Sequence, residues 1–106
     1  MAHEKILIVE DEQDIVELIL YNLEKEGYSC SSCTSGEEAL PRAKGFKPHL
    51  IILDLMLPGI DGLEVCKLLK QDNDTNKIPI VMVTAKAEDS DVVTGLEIGA
   101  DDYVTK

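Results

Sequence analysis

Unbroken apolar runs alternate along this chain with segments of helical periodicity. KILIV at 5–9, LIIL at 50–53 and IVMV at 80–83 are hydrophobic at nearly every position. A strand with one wet face alternates, whereas a parallel strand covered on both faces reads as a continuous run. Tyr28 to Cys33 is a further, more polar strand, and Asp102 to Val104 a short last one. Between them, Asp14 to Lys25 carries Ile15, Leu18, Ile19 and Leu23 at helical spacing, with Gly27 as its stop. Ser35 can cap a second helix, with Glu38 completing a capping box, and Pro41 should kink or shorten it. Asp61 can cap a third helix to about Gln71 with Val65, Cys66 and Leu69 inward. A fourth spans about Glu88 to Ile98 with Val92, Val93 and Leu96 inward and Gly99 after it.

The order β-α-β-α-β-α-β-α-β predicts an α/β fold, a parallel sheet with helices on both faces. Right-handed crossovers leave few arrangements, of which the flavodoxin-like, doubly wound strand order 2-1-3-4-5 is the common one. A ligand in such a sheet sits beyond the carboxyl ends of the strands, near the switch point between strands 1 and 3.

Composition narrows the function. The 106 residues predict one domain, 1–106, and 44% hydrophobic residues suffice for a core. No apolar run approaches the ~20 residues of a membrane span, and MAHEK lacks a secretory signal's apolar stretch, so no membrane association and a cytoplasmic location are expected. The formal charge of −11 argues against direct binding to nucleic acid. Most carboxylates, such as Glu24, Glu26, Glu88 and Asp89, read as solvated helix faces. Cys30 and Cys33 form a C-x2-C without a second pair, at a spacing that sends strand side chains to opposite faces. With Cys66 they read as small buried or half-buried thiols.

The exceptions to the solvated carboxylates stand at strand ends. Strand 1 runs directly into Glu10, Asp11 and Glu12, and strand 3 into Asp54. Strand 4 ends at Thr84 and Ala85, and strand 5 at Thr105 and Lys106. Crowded carboxylates repel, and without compensation at least one pKa would rise. A hard divalent cation resolves this, since magnesium takes one or two carboxylates, waters and a phosphate oxygen. The alternative is an acidic strand end that is merely solvated. Neither G-x-x-x-x-G-K-[ST] nor G-x-G-x-x-G follows strand 1. An acidic loop also repels a flavin phosphate, so a phosphate enters only with a cation.

Four blocks carry a resemblance: ILIVEDE at 6–12, LDLMLPGIDG at 53–62, VTA at 83–85 and GADDYVTK at 99–106. In this order and spacing, nearly the whole chain resembles the receiver domains of two-component response regulators. The resemblance implies that Asp54 is the phosphoacceptor. Glu10 and Asp11 correspond to the acidic pair that positions Mg²⁺, for which Mn²⁺ can substitute, and the backbone carbonyl of Met56 to the remaining protein ligand. Thr84 corresponds to the hydroxyl that approaches the phosphoryl group, Lys106 to the lysine that pairs with it, and Tyr103 to the aromatic switch residue. Pro58 and Gly59 read as the turn by which the chain leaves the site.

The resemblance also implies partners. A sensor histidine kinase or phosphotransfer domain supplies the phosphoryl group, and conformational switching controls an output. KIP at 77–79 and the segment from Gly95 to Tyr103 look most like receivers attached to winged-helix DNA-binding domains. Transcription control is then the expected output, through a domain outside this chain. The alternative is a stand-alone phosphorelay or chemotaxis-type receiver acting on protein partners. A turnover enzyme with an aspartyl-phosphate intermediate would want a second aspartate where Met56 stands, so a signalling domain is expected rather than an enzyme. Met56 and Lys86 are also unsuited to orienting an attacking water, which predicts a long-lived phosphoryl group. Receivers of this kind continue after the lysine with proline and a fifth helix, whereas Lys106 ends this sequence. That departure leads us to expect bare apolar surface beside the first helix, with either lower stability or self-association through that face. A homodimer through the fourth helix and fifth strand is a further implied partner.

Overall fold

The computed structural model describes residues 4–55, 57, 59–84 and 102–105, with the backbone alone for 84 and 102–105. Five parallel strands form one sheet in the order β2-β1-β3-β4-β5, as the chain pattern predicts. They are β1 (Lys5–Val9), β2 (Ser29–Cys33), β3 (Leu50–Asp54), β4 (Ile80–Thr84) and β5 (Asp102–Thr105). Three helices are described: α1 (Gln13–Lys25), α2 (Gly36–Phe46) and α3 (Gly62–Gln71). The helix expected over 88–98 lies outside the described residues.

The chain steps from β1 outward to β2 and then returns past β1 to β3. Right-handed crossovers therefore put α1 on one face of the sheet and α2 and α3 on the other. Successive strand residues supply both faces. Leu7, Val9, Ile51 and Leu53 join Ala39 and Ala43 of α2 and Val65, Cys66 and Leu69 of α3 in the main core cluster. Ile6 and Ile8 project to the opposite face, and they are as buried as their neighbours. Covering on both sides explains why β1 is an unbroken hydrophobic run.

Three local expectations need correction. Leu18 does not belong to the inward stripe of α1, being 63% exposed. The helix turns its face so that Val16 is buried and Ile19, Leu20 and Leu23 are half-buried. That is the i, i+3, i+4, i+7 pattern of one seated stripe, and Leu18 falls on its flank. Pro41 does not shorten α2, which continues to Phe46. The missing N–H removes only the bond to the Glu37 carbonyl, while Ala39 and Ala43 hold both sides of the proline in the core. The capping box is also rearranged. Ser35 is the N-cap of α2, but its hydroxyl donates to Glu38 Oε2 at 3.2 Å, and the same carboxylate oxygen accepts from the Thr34 N–H at 3.3 Å.

Other signals act as expected. Gly27, with φ of 95°, ends α1. Asp61 caps α3 by accepting from the Glu64 N–H at 2.9 Å. The cysteines are free thiols, with Cys33 and Cys66 buried and Cys30 half-buried. Burial, reinforced by the nearby Glu38 charge and partly opposed by Arg42, pushes the Cys33 thiol up to about 11. A thiol held neutral in this way is a poor zinc ligand. Among the described residues, no helix is long and apolar enough to cross a membrane.

Candidate functional site

Strand register assembles the site. Val9 lies beside Leu53 and Cys33, so the next residues, Glu10 and Asp54, emerge side by side at the carboxyl edge of the sheet. Glu10 is fixed there by its N–H, which donates to the Cys33 carbonyl at 3.1 Å. Its Oε2 accepts from the Glu12 N–H at 3.3 Å, which folds the turn into α1 back over the strand end. Asp54 closes β3 opposite Val83, and Thr84 follows one step later along β4, paired with Thr105. The edge predicted from the strand order is therefore the one at which these four strands end.

Carboxylate oxygens of Glu10, Asp11 and Asp54 all lie within 4.8 Å of one another. Asp11 is exposed, whereas Glu10 and Asp54 are only 2% and 3% exposed. Two buried carboxylates at this range repel by about 3 kcal/mol at an effective dielectric of ~20, taking the separation as 4.8 Å. Such a cluster is stabilised by whatever brings positive charge into it. The donors are all hard carboxylate oxygens, two rigid and one reachable from solvent, which suits a small divalent cation better than a soft metal. The donor set thus fits magnesium or manganese.

Beyond Asp54 the chain turns away under tight steric control. The Leu55 N–H donates to the Val83 carbonyl at 3.0 Å, and the Gly62 N–H to the Leu55 carbonyl at 2.9 Å. At Gly62 a Cβ would collide with the Asp54 carbonyl oxygen and approach Leu55 Cα at 2.7 Å. The start of α3 therefore rests directly on the backbone of the candidate acceptor. Gly59 adopts φ of 75°, the left-handed conformation expected of the turn. Met56, Pro58, Lys106, the hydroxyl of Thr84 and the ring of Tyr103 lie outside the described residues.

A family model for the response regulator receiver domain matches residues 6–106. This chain is a response regulator receiver domain. As such it is a signalling domain, and its relatives are transcriptional regulators. It is 55% identical over 104 residues to the alkaline phosphatase synthesis transcriptional regulatory protein PhoP of Bacillus subtilis, covering 98% of this chain and 42% of that protein. The chain thus spans less than half the length of the regulators it matches. Among solved structures, a response regulator described as putative from Chloroflexus aurantiacus superposes with a TM-score of 0.93 at 38% identity, covering 99% of this chain and 86% of that one. The Mn(2+)-bound form of response regulator Rcp1 superposes with a TM-score of 0.88 at 30% identity, covering 97% and 81%.

Sequence reasoning found the acidic trio but not its supports. Gly36 and Glu37 were not singled out, because a glycine or a glutamate in the first turn of a helix is ordinary there. Their roles depend on contacts far apart in the chain.

Proposed function

We propose that this receiver accepts a phosphoryl group on Asp54 from a phosphohistidine of a sensor kinase or phosphotransfer domain, in a magnesium-dependent reaction, and thereby controls transcription. The carrying observation is the convergence of the Glu10, Asp11 and Asp54 carboxylates within 4.8 Å. Glu10, Asp11 and Asp54, with the Met56 carbonyl, would hold the cation. When bound, it would neutralise the carboxylates and the charge that develops on the phosphoryl oxygens.

In the transfer, an Asp54 oxygen attacks phosphorus as the nitrogen–phosphorus bond of the donor breaks, and the imidazole keeps the released electron pair. Asp54 must be ionised to attack. Its rigid seat between Glu10 and the start of α3 holds the oxygen in place, which lowers the entropic cost of the approach. Lys106 would pair with a phosphoryl oxygen, the Thr84 hydroxyl would move toward another, and Tyr103 would follow. The transcriptional output rests on likeness to PhoP and would act through a domain outside this chain.

An NMR titration with Mg²⁺ tests the site. Amides at Glu10, Asp11 and Asp54 should shift in a saturable manner. Shifts confined to the acidic helix faces would overturn the assignment.

A further inference from the structure

Outside the acidic trio, the first turn of α2 closely approaches the loop joining β3 to α3. The Glu37 carboxylate accepts from the Ile60 N–H at 3.1 Å, a bond spanning 23 residues of sequence. Glycine is required on both sides of this contact. A Cβ on Gly59 would collide with Glu37 Oε1. A Cβ on Gly36 would meet Ile60 Cγ1 at 2.5 Å, Val65 Cγ2 at 2.7 Å and the Ile60 carbonyl at 2.8 Å. Gly36 cannot take a side chain without moving the loop or the helix, whereas a Cβ on Gly59 would push the Glu37 carboxylate off Ile60 and strain a backbone held at φ of 75°.

The loop so held is the one that leaves Asp54. Its inner side is anchored by Leu55 and Leu57, 5% and 8% exposed. Its far end is fixed by the Asp61 cap and by Gly62 seated on the Asp54 backbone. Between these anchors Gly59 is exposed, while Ile60 is half-buried and packs against the core. The Glu37 carboxylate is the side-chain hydrogen bond that this stretch makes to another element among the described residues.

We infer that Glu37 is a positioning residue for the metal and phosphoacceptor site: through Ile60 it fixes the β3–α3 loop and with it the start of α3, whose Gly62 rests on the backbone of Asp54. The inference rests on the proposed metal site and adds a residue to its support. A hydrogen bond that orients a ligand-bearing segment acts as outer-shell partners of metal sites do. The exposed glutamate contributes through this one acceptor geometry, and Gln reproduces it without the charge.

Four variants of the 106-residue chain test it: Glu37→Ala, Glu37→Gln, Ala43→Gly and Asp54→Asn. Mn²⁺ affinity is read by electron paramagnetic resonance, and exchange of the Ile60 amide by NMR. Glu37→Ala should speed Ile60 exchange and weaken Mn²⁺ binding about ten-fold, the low end of what outer-shell partners contribute. Glu37→Gln should restore both. Ala43→Gly weakens the same helix away from the loop and should leave the affinity unchanged. Wild-type affinity in Glu37→Ala despite faster Ile60 exchange would overturn the inference. So would an equal loss in Ala43→Gly, which would reduce Glu37 to a general support of α2. Asp54→Asn separates the two levels: undiminished Mn²⁺ binding there would refute the metal site, and the role of Glu37 with it.

Discussion

If the acidic trio is a cation site, the metal-free protein carries a repulsion that the Asp54→Asn substitution should relieve. The change keeps the size of the side chain and an accepting oxygen, and removes one negative charge. Glu10 and Asp54 are almost wholly buried, with oxygens within 4.8 Å. At that separation and an effective dielectric of ~20, the pair costs about 3 kcal/mol. Hydrogen bonds better accepted by a carboxylate than by an amide return part of this, leaving a net gain of about 1–3 kcal/mol. With a urea m-value of about 1–2 kcal/mol/M, the unfolding midpoint of the variant in EDTA at neutral pH should rise by roughly 1 M. Excess Mg²⁺ should then raise the wild-type midpoint and leave the variant nearly unmoved, because a ligand stabilises only the state that binds it. A variant equal to or less stable than wild type in EDTA would refute the claim that repulsion between these carboxylates weakens the metal-free fold.

Other consequences follow from single contacts. Gly62→Ala should destabilise by about 1–3 kcal/mol, because its Cβ meets the Asp54 and Leu55 backbone. Open space would instead give a gain of up to about 1 kcal/mol from better helix propensity, so the sign in denaturant unfolding decides. Thr75 is fully buried and its hydroxyl donates to the Leu69 carbonyl at 2.6 Å. Thr75→Val should cost about 1–3 kcal/mol in urea unfolding by leaving that carbonyl unsatisfied. The Cys33 thiol, raised from an ordinary 9.0 to about 11, favours folding fully below pH 9. That contribution is lost as pH rises from 9 to 11, since the unfolded chain ionises first. Wild-type stability should therefore fall more steeply over this window than that of Cys33→Ala, and parallel pH profiles would contradict the burial argument.

What could be read beforehand was whatever depends on short range. Each described strand falls within a residue or two of the segment read for it, and the strand order is the common one among the few arrangements that crossover handedness leaves. Glu10, Asp11 and Asp54 were legible because strand ends in a doubly wound sheet share one edge. Where the reading failed, tertiary contacts had overridden a local preference. Leu18 fits an amphipathic stripe, yet the sheet seats the stripe through Val16. Pro41 could have shortened α2, yet the helix runs on to Phe46 with Ala39 and Ala43 packed in the core on either side. Glu37 could not be found in the sequence, since its partner Ile60 lies on another element and nothing local marks the pair.

The central claim is that Asp54 is the acceptor, and its most direct test is mass spectrometry after incubation with acetyl phosphate and Mg²⁺. A single acid-stable, base-labile phosphoryl adduct is expected on the peptide carrying Asp54, absent when Mg²⁺ is withheld and absent in Asp54→Asn. An adduct formed at a similar rate in Asp54→Asn, or equally well without a divalent cation, would contradict it.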